Sequence, residues 1–146
     1  MTVSASDKRR IKKAAAIASR FTEPDYNYEV PHHPYPRDPR TAAEAYAVAA
    51  DLAEELGAKD TARELRTEVR RQLVWAWAIR TGLGDELYPI EYVAAPGVFD
   101  IGSREVRTFA IVFVAAAPWL DQREVRVRVD NHGRVHRLKA TGRRER

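Results

Sequence analysis

The chain has 146 residues, of which 45% are hydrophobic, and it carries a formal net charge of +4. This length allows one domain with a hydrophobic core, and the apolar fraction argues against a chain that is disordered throughout. The absence of cysteine excludes disulfides, thiolate metal ligands and cysteine nucleophiles. No apolar run approaches the roughly 20 residues of a membrane-spanning helix, and the charged N-terminus lacks a signal-peptide core. We therefore expect a cytoplasmic protein with no membrane partner.

The positive charge is concentrated at the two ends of the chain. Residues 1–20 carry a net charge of +5, residues 21–120 carry −6, and residues 121–146 carry +5. Such asymmetry indicates more about partners than the total charge does. We expect three segments, listed here in chain order: a basic N-terminal helix or arm (1–20), a single α+β domain (21–140) and a basic tail (141–146).

Three helices are predicted in the first part of the chain, at about residues 6–21, 39–56 and 60–83. Ser4 or Ser6 can cap the first helix. Asp38 can cap the second, and Gly57 follows its last residue as a stop signal. The short link after Gly57 predicts that the second and third helices form an antiparallel hairpin.

The third helix is predicted to be the central element of the fold. Thr61 and Glu64 can form a capping box at its start. Five side chains spaced by three and four form a stripe that we expect to face the core: Ala62, Leu65, Val69, Leu73 and Ala76. Residues 73–79 are apolar on every side and must be covered all round. We therefore predict that Trp75 and Trp77 contribute to an interface in a homo-oligomer.

The segment between the first two helices contains four prolines, at positions 24, 31, 34 and 36, which exclude a helix there. His32 and His33 are adjacent, and neighbouring side chains of an extended chain point to opposite sides. We interpret this segment as a surface loop without a metal site.

The remainder of the chain is predicted to form strands, at about residues 87–94, 98–101, 105–116, 124–130 and 134–139. Residues 109–115 are apolar on both faces, which is typical of a central strand. Valines at 125, 127 and 129 alternate with charged residues, which indicates a half-exposed strand. The register of the last strand is ambiguous, because Val135 and Leu138 cannot share a face without a bulge.

The predicted fold class is α+β, with three N-terminal helices packed on a C-terminal antiparallel sheet of four to five strands. This order of elements resembles the cone-shaped folds of nuclear-transport-factor-like proteins, although no sequence motif carries the resemblance. A pocket in such a cone would place polar side chains for acid–base chemistry or ligand binding, here Tyr88, Glu91, Tyr92 and Asp100.

Signatures of catalysis are absent from the sequence. Gly82 and Gly84 follow a predicted helix rather than a strand, and no third glycine completes a dinucleotide-binding loop. Ser103 is not in a nucleophile elbow, and there is no His-Glu-x-x-His zinc motif. We predict no catalytic residue, no metal site and no cofactor.

Basic residues are the more suggestive feature, and nine of them are predicted to bind nucleic acid: Lys8, Arg9, Arg10, Lys12, Lys13, Arg126, Arg128, Arg143 and Arg144. Across the last hairpin, Arg126 and Arg128 should be flanked by either Arg137 and Lys139 or Arg134 and His136. No helix-turn-helix, RNA-recognition motif or zinc finger is present, so contacts would be mainly with the phosphate backbone.

The functional prediction is a non-enzymatic interaction or accessory protein that uses its basic ends on nucleic acid or on an acidic protein surface. The lack of catalytic motifs suggests, as a hypothesis, that a phage or other mobile element encodes it. Two alternatives are a small-ligand-binding or enzymatic α+β cone, and a structural assembly subunit whose basic arms order on docking.

Overall fold

The computed structural model describes residues 3–23, 36–85, 87–94, 106–115 and 122–138, with side chains placed for 3–23, 36–81, 106–111 and 124–138. Three helices come first: α1 (Ala5–Ser19), which a 3-10 turn at Arg20–Thr22 extends, α2 (Pro39–Glu55) and α3 (Lys59–Asp85). An antiparallel sheet follows them: β1 (Leu87–Ala94), β2 (Thr108–Ala115), β3 (Gln122–Val129) and β4 (Val135–Arg137).

This order confirms the prediction of three helices followed by a C-terminal antiparallel sheet. The count of four to five strands is not confirmed. β1, β2 and β3 have eight residues each, whereas β4 is a three-residue segment at the edge of β3. The strand predicted at 98–101 lies outside the described residues.

Local capping signals explain where the helices begin and end. The Ser4 hydroxyl accepts a hydrogen bond from the Asp7 amide at 3.0 Å, and the Asp38 carboxylate accepts one from the Thr41 amide at 3.2 Å. Gly57 adopts a φ of +85° just after α2, as a C-terminal cap requires.

The capping box predicted for α3 is wrong. This helix begins at Lys59, and its hydrogen-bond ladder starts with the Ala62 amide donating to the Ala58 carbonyl at 2.9 Å. Thr61 therefore lies inside the first turn, because the tight link after Gly57 returns the chain to helical conformation earlier than the capping pattern indicated.

The pairing of β3 with β4 resolves the register that the sequence left open. Val129 lies opposite Val135, and Arg128 lies opposite His136. Val135 consequently packs against the core, whereas Leu138 lies on the other face and is 37% exposed. The structure thus follows the alternative of Arg134 and His136 only in part, because His136 lies opposite Arg128 whereas Arg134 lines a cavity against α3.

α3 lies between α2 on one side and the sheet on the other. Val74 and Ala78 of α3 are fully buried in one cluster with inward-facing strand residues: Phe109, Ile111, Val125, Val127 and Val129. On the other side, Ile11 of α1, Ala53 of α2 and Ala62 of α3 are buried together. Removal of this apolar surface from water is the main stabilising contribution, so α3 connects the two halves of the core.

The apolar stripe predicted for α3 is buried only in part. Ala62 is 1% exposed, but the other four members are half-buried: Leu65, Val69, Leu73 and Ala76. The sheet covers Val74 and Ala78 instead. Helical periodicity identifies side chains that share a face, but two layers pack on α3 from different directions, and the predicted stripe lines the clefts between them.

Candidate nucleic-acid interface

The basic face of α1 is exposed, as an interface would require. Lys8, Arg9, Arg10, Lys12 and Lys13 are all exposed, whereas Ile11 and Ala18 of the same helix are buried against the other helices. Their alternation follows the amphipathic pattern of a surface helix. Binding of nucleic acid by this face remains a prediction.

A second basic surface lies on the outer face of the sheet. Arg126 and Arg128 are exposed there, and His136 is paired across from Arg128. Glu124 lies on the same face, with its carboxylate 3.6 Å from the Arg126 Nε atom. The positive charge of this surface is therefore partly offset.

These two surfaces do not form one patch. α1 packs on α2, α2 packs on α3, and α3 covers the inner face of the sheet, so the outer face of β3 points away from the helices. The tail residues Arg143 and Arg144 lie outside the described residues. That the basic helix, the last hairpin and the tail all bind nucleic acid stays a prediction.

A third basic surface was not predicted, and we call it the arginine groove. Arg40 of α2, Arg80 of α3 and Arg134 of the β3–β4 turn line a cavity of about 300 Å³. Its other walls are mostly apolar: Leu73, Ala76, Trp77, Gly133 and Val135. An adjoining cavity of about 250 Å³ shares Arg40, Ala76 and Arg80 with the groove and is also lined by Pro36, Arg37, Asp38, Pro39 and Ile79, so one carboxylate borders the groove.

The helical hairpin explains why the groove forms here. α2 and α3 are antiparallel, so the first turn of α2 lies beside the second half of α3. On α3, Leu73, Ala76, Trp77 and Arg80 follow one another at spacings of three, one and three, which places them on one face. Arg80 therefore lies at the end of a mostly apolar stripe on α3, where Arg40 of α2 also lines the groove.

The third arginine is positioned by a hydrogen-bonded turn around Asp130. One carboxylate oxygen accepts from the amides of His132 at 2.8 Å and Arg134 at 2.9 Å, and the other lies 2.7 Å from His136 Nε2. The hydrogen bond with His136, followed by those from the backbone, holds the pKa of Asp130 well below its usual range. The turn is therefore anchored by an ionised carboxylate.

Gly133 completes this turn with a φ of +80°, and a Cβ atom built on it would lie 3.3 Å from Leu73 Cδ1. Only glycine adopts this conformation without strain. The close approach brings the turn, and with it Arg134, against α3.

Arg40, Arg80 and Arg134 are exposed, and none of these three forms an ion pair with a carboxylate in the described part of the chain. Arg40 also lies in the first turn of α2, where the helix dipole disfavours a positive charge. The unfavourable position of Arg40 at the start of a predicted helix was therefore a sign, visible in the sequence, that this residue has a role other than stabilising the helix. Nothing in the sequence connected it with Arg80 and Arg134.

The remaining predicted site residues fall in different places. The backbones of Tyr88, Glu91 and Tyr92 belong to β1, but their side chains and the whole of Asp100 lie outside the described parts. Trp75 is only 9% exposed. Its prediction as an oligomer contact is untested, and most of its indole is covered within the chain.

Other chemistry is sparse among the residues that the structure describes. Burial raises the pKa of the Tyr46 phenol, with the neighbouring Glu68 charge adding to the effect, so this phenol stays neutral. Within residues 3–23, 36–85, 87–94, 106–115 and 122–138, no three acidic or histidine side chains come together as a metal site. None of the helices there is long and apolar enough to cross a membrane.

Comparisons of the chain with protein-family models, with characterised proteins and with solved structures find no match.

Proposed function

We propose that this chain is a non-enzymatic accessory protein that binds nucleic acid through its phosphate backbone, with the arginine groove as the principal contact. The observation that supports the proposal is the convergence of Arg40, Arg80 and Arg134 from three separate elements on one groove. Cationic side chains that line one groove raise the local positive potential, which attracts an anion such as phosphate. A planar guanidinium group also matches the geometry of a phosphate better than an ammonium group does.

The composition of the groove favours a single strand over a duplex. Leu73, Ala76 and Trp77 supply an apolar surface between the arginines, and Trp77 packs against the core with part of its ring accessible. Single-strand binders combine cationic contacts to the backbone with stacking of bases on aromatic rings. Ile11, which lies among the basic residues of α1, packs beside Ala53, about 20 Å from Arg40 along α2. The basic residues around Ile11 would therefore contact a separate part of a longer strand.

The test is a fluorescence polarisation titration with a labelled single-stranded oligonucleotide at a series of salt concentrations. The groove variant carries Arg40→Gln, Arg80→Gln and Arg134→Gln. The matched control carries Arg9→Gln, Arg10→Gln and Lys13→Gln on α1 and removes the same charge. If each groove arginine contacts a phosphate, the slope of log affinity against log salt should fall by about 2 in the groove variant.

The control variant should lose less of the slope than the groove variant. Both should bind different sequences with similar affinity, because the sequence contains no base-reading motif. The opposite ranking would place the principal contact on α1, whose basic residues are among the nine predicted from the sequence. No binding by the wild-type protein at low salt would refute the proposal.

Two other functions are the alternatives already derived from the sequence. A small-ligand-binding or enzymatic cone requires a pocket at Tyr88, Glu91, Tyr92 and Asp100, whose side chains lie beyond the described residues. A structural assembly subunit, or a homo-oligomer joined through Trp75 and Trp77, requires an interface. Light scattering at high protein concentration tests the oligomer, since a monomer there would exclude it.

A further inference from the structure

A second groove lies at the opposite end of the helical layer, between α1 and the start of α3, and we call it the α1–α3 groove. It encloses a cavity of about 480 Å³. Its apolar walls come from α1 and the residues just before it, from the link after α2 and from α3: Val3, Ile11, Ala15, Ala58 and Leu65. All five are aliphatic, so the part of the lining that the structure describes offers no aromatic ring on which a base could stack.

The rim of this groove is positively charged. Lys8 and Lys12 of α1 and Lys59 of α3 line it, and Lys8 and Lys12 are exposed. In the described part of the chain no carboxylate forms an ion pair with any of the three lysines. Asp60, the single acidic residue among the described residues of the lining, is paired with Arg63 instead.

The α1 side of the groove has helical spacing. Lys8, Ile11, Lys12 and Ala15 lie at successive steps of three, one and three, so two lysines alternate with two apolar residues along one stripe. The stripe is about 10 Å long, or about two helical turns. A partner that runs along it would meet apolar surface at the centre and positive charge on the rim.

We propose that the α1–α3 groove binds a short acidic amphipathic helix of a partner protein. In this mode of recognition, apolar anchors on one face of the partner helix enter the groove, and its flanking carboxylates contact the lysines. Complementary charge steers the encounter and selects the partner. The basic tail of this chain, residues 141–146, has the wrong charge to occupy the groove. The inference does not rest on the proposed binding of nucleic acid.

The test uses a fluorescein-labelled synthetic peptide with leucines on one helical face and glutamates beside them. Binding to the full-length protein is measured by polarisation at low ionic strength. A scrambled peptide of the same composition serves as the ligand control. Lys8→Glu with Lys12→Glu reverses the rim, and Arg9→Glu with Lys13→Glu makes the same charge change outside the groove lining.

The rim variant should weaken binding of the amphipathic peptide by about tenfold or more. The matched variant should weaken it much less, and the scrambled peptide should bind poorly. Circular dichroism of both variants checks that α1 is retained, because all four positions are exposed.

Three results would overturn the inference: equal loss in both variants, equal binding of the scrambled peptide, or no binding by the wild-type protein. The variant with Arg40→Gln, Arg80→Gln and Arg134→Gln should bind the peptide as the wild-type protein does. Measuring peptide binding by this variant separates the two proposals, because the peptide site and the nucleic-acid site would then be lost independently of each other.

Discussion

Replacement of Gly133 by alanine should show how strongly the β3–β4 turn depends on its contact with α3. Gly133 has a φ of +80°, which costs an alanine roughly 1–2 kcal/mol. The new methyl group would also lie 3.3 Å from Leu73 Cδ1. Displacing that side chain from its rotamer costs about 0.5–1.5 kcal/mol. We therefore expect Gly133→Ala to lower the free energy of unfolding by about 1.5–3.5 kcal/mol.

Gly57 provides a matched control. Its φ is +85°, but a Cβ atom there would meet nothing within 4 Å. Gly57→Ala should therefore show only the backbone cost, about 1–2 kcal/mol. Urea unfolding followed by circular dichroism measures both variants. The difference between them isolates the contact with Leu73, because the backbone strain is common to both.

A double mutant tests whether the contact with Leu73 causes the difference in unfolding free energy between Gly133→Ala and Gly57→Ala. In a Leu73→Ala background the additional cost of Gly133→Ala should largely disappear, since the atom that the new methyl group meets is gone. Equal destabilisation by Gly133→Ala and Gly57→Ala would refute the reasoning. So would a difference that persists in the Leu73→Ala background. Gly133→Ala should also weaken the proposed binding of nucleic acid, because the turn positions Arg134 in the arginine groove.

Three further predictions follow from the core, the capping and the ionisation of single residues. Phe109→Ala should destabilise the protein by about 3–5 kcal/mol in urea unfolding, because the ring is fully buried, whereas Leu73→Ala should cost less than the ~2–5 kcal/mol of a buried leucine. Asp38→Ala should lower the free energy of unfolding by about 0.5–2 kcal/mol, because the hydrogen bond from the Thr41 amide is lost. Asp38→Asn keeps a capping oxygen and should cost little. Equal costs for the two variants would argue against a capping role. Asp130 has a pKa lowered on folding, so its stabilisation is present above the unfolded value of about 3.9 and is lost as the pH falls through the folded value. Thermal melts of Asp130→Asn should accordingly lose less stability on acidification than the wild-type protein does, and identical acid profiles would contradict this assignment.

The elements that could be predicted from the sequence are those that local chemistry specifies. Asp38 before Pro39 and Gly57 after α2 mark the ends of that helix, because the capping groups are neighbours in the chain. The alternation of valine with charged residues in β3 likewise determines which face is buried, since strand side chains alternate with a period of two. The exposure of the basic face of α1 followed from the same kind of periodic pattern.

The tertiary structure decided which surfaces converge. Arg40, Arg80 and Arg134 lie far apart in the sequence, and they meet only because the helical hairpin is antiparallel and the β3–β4 turn packs on α3. Periodicity grouped Leu73 with Ala76 on one face of α3 but did not specify what covers that face. That depends on the directions from which α2 and the sheet approach the helix, and long-range packing rather than local sequence sets those directions.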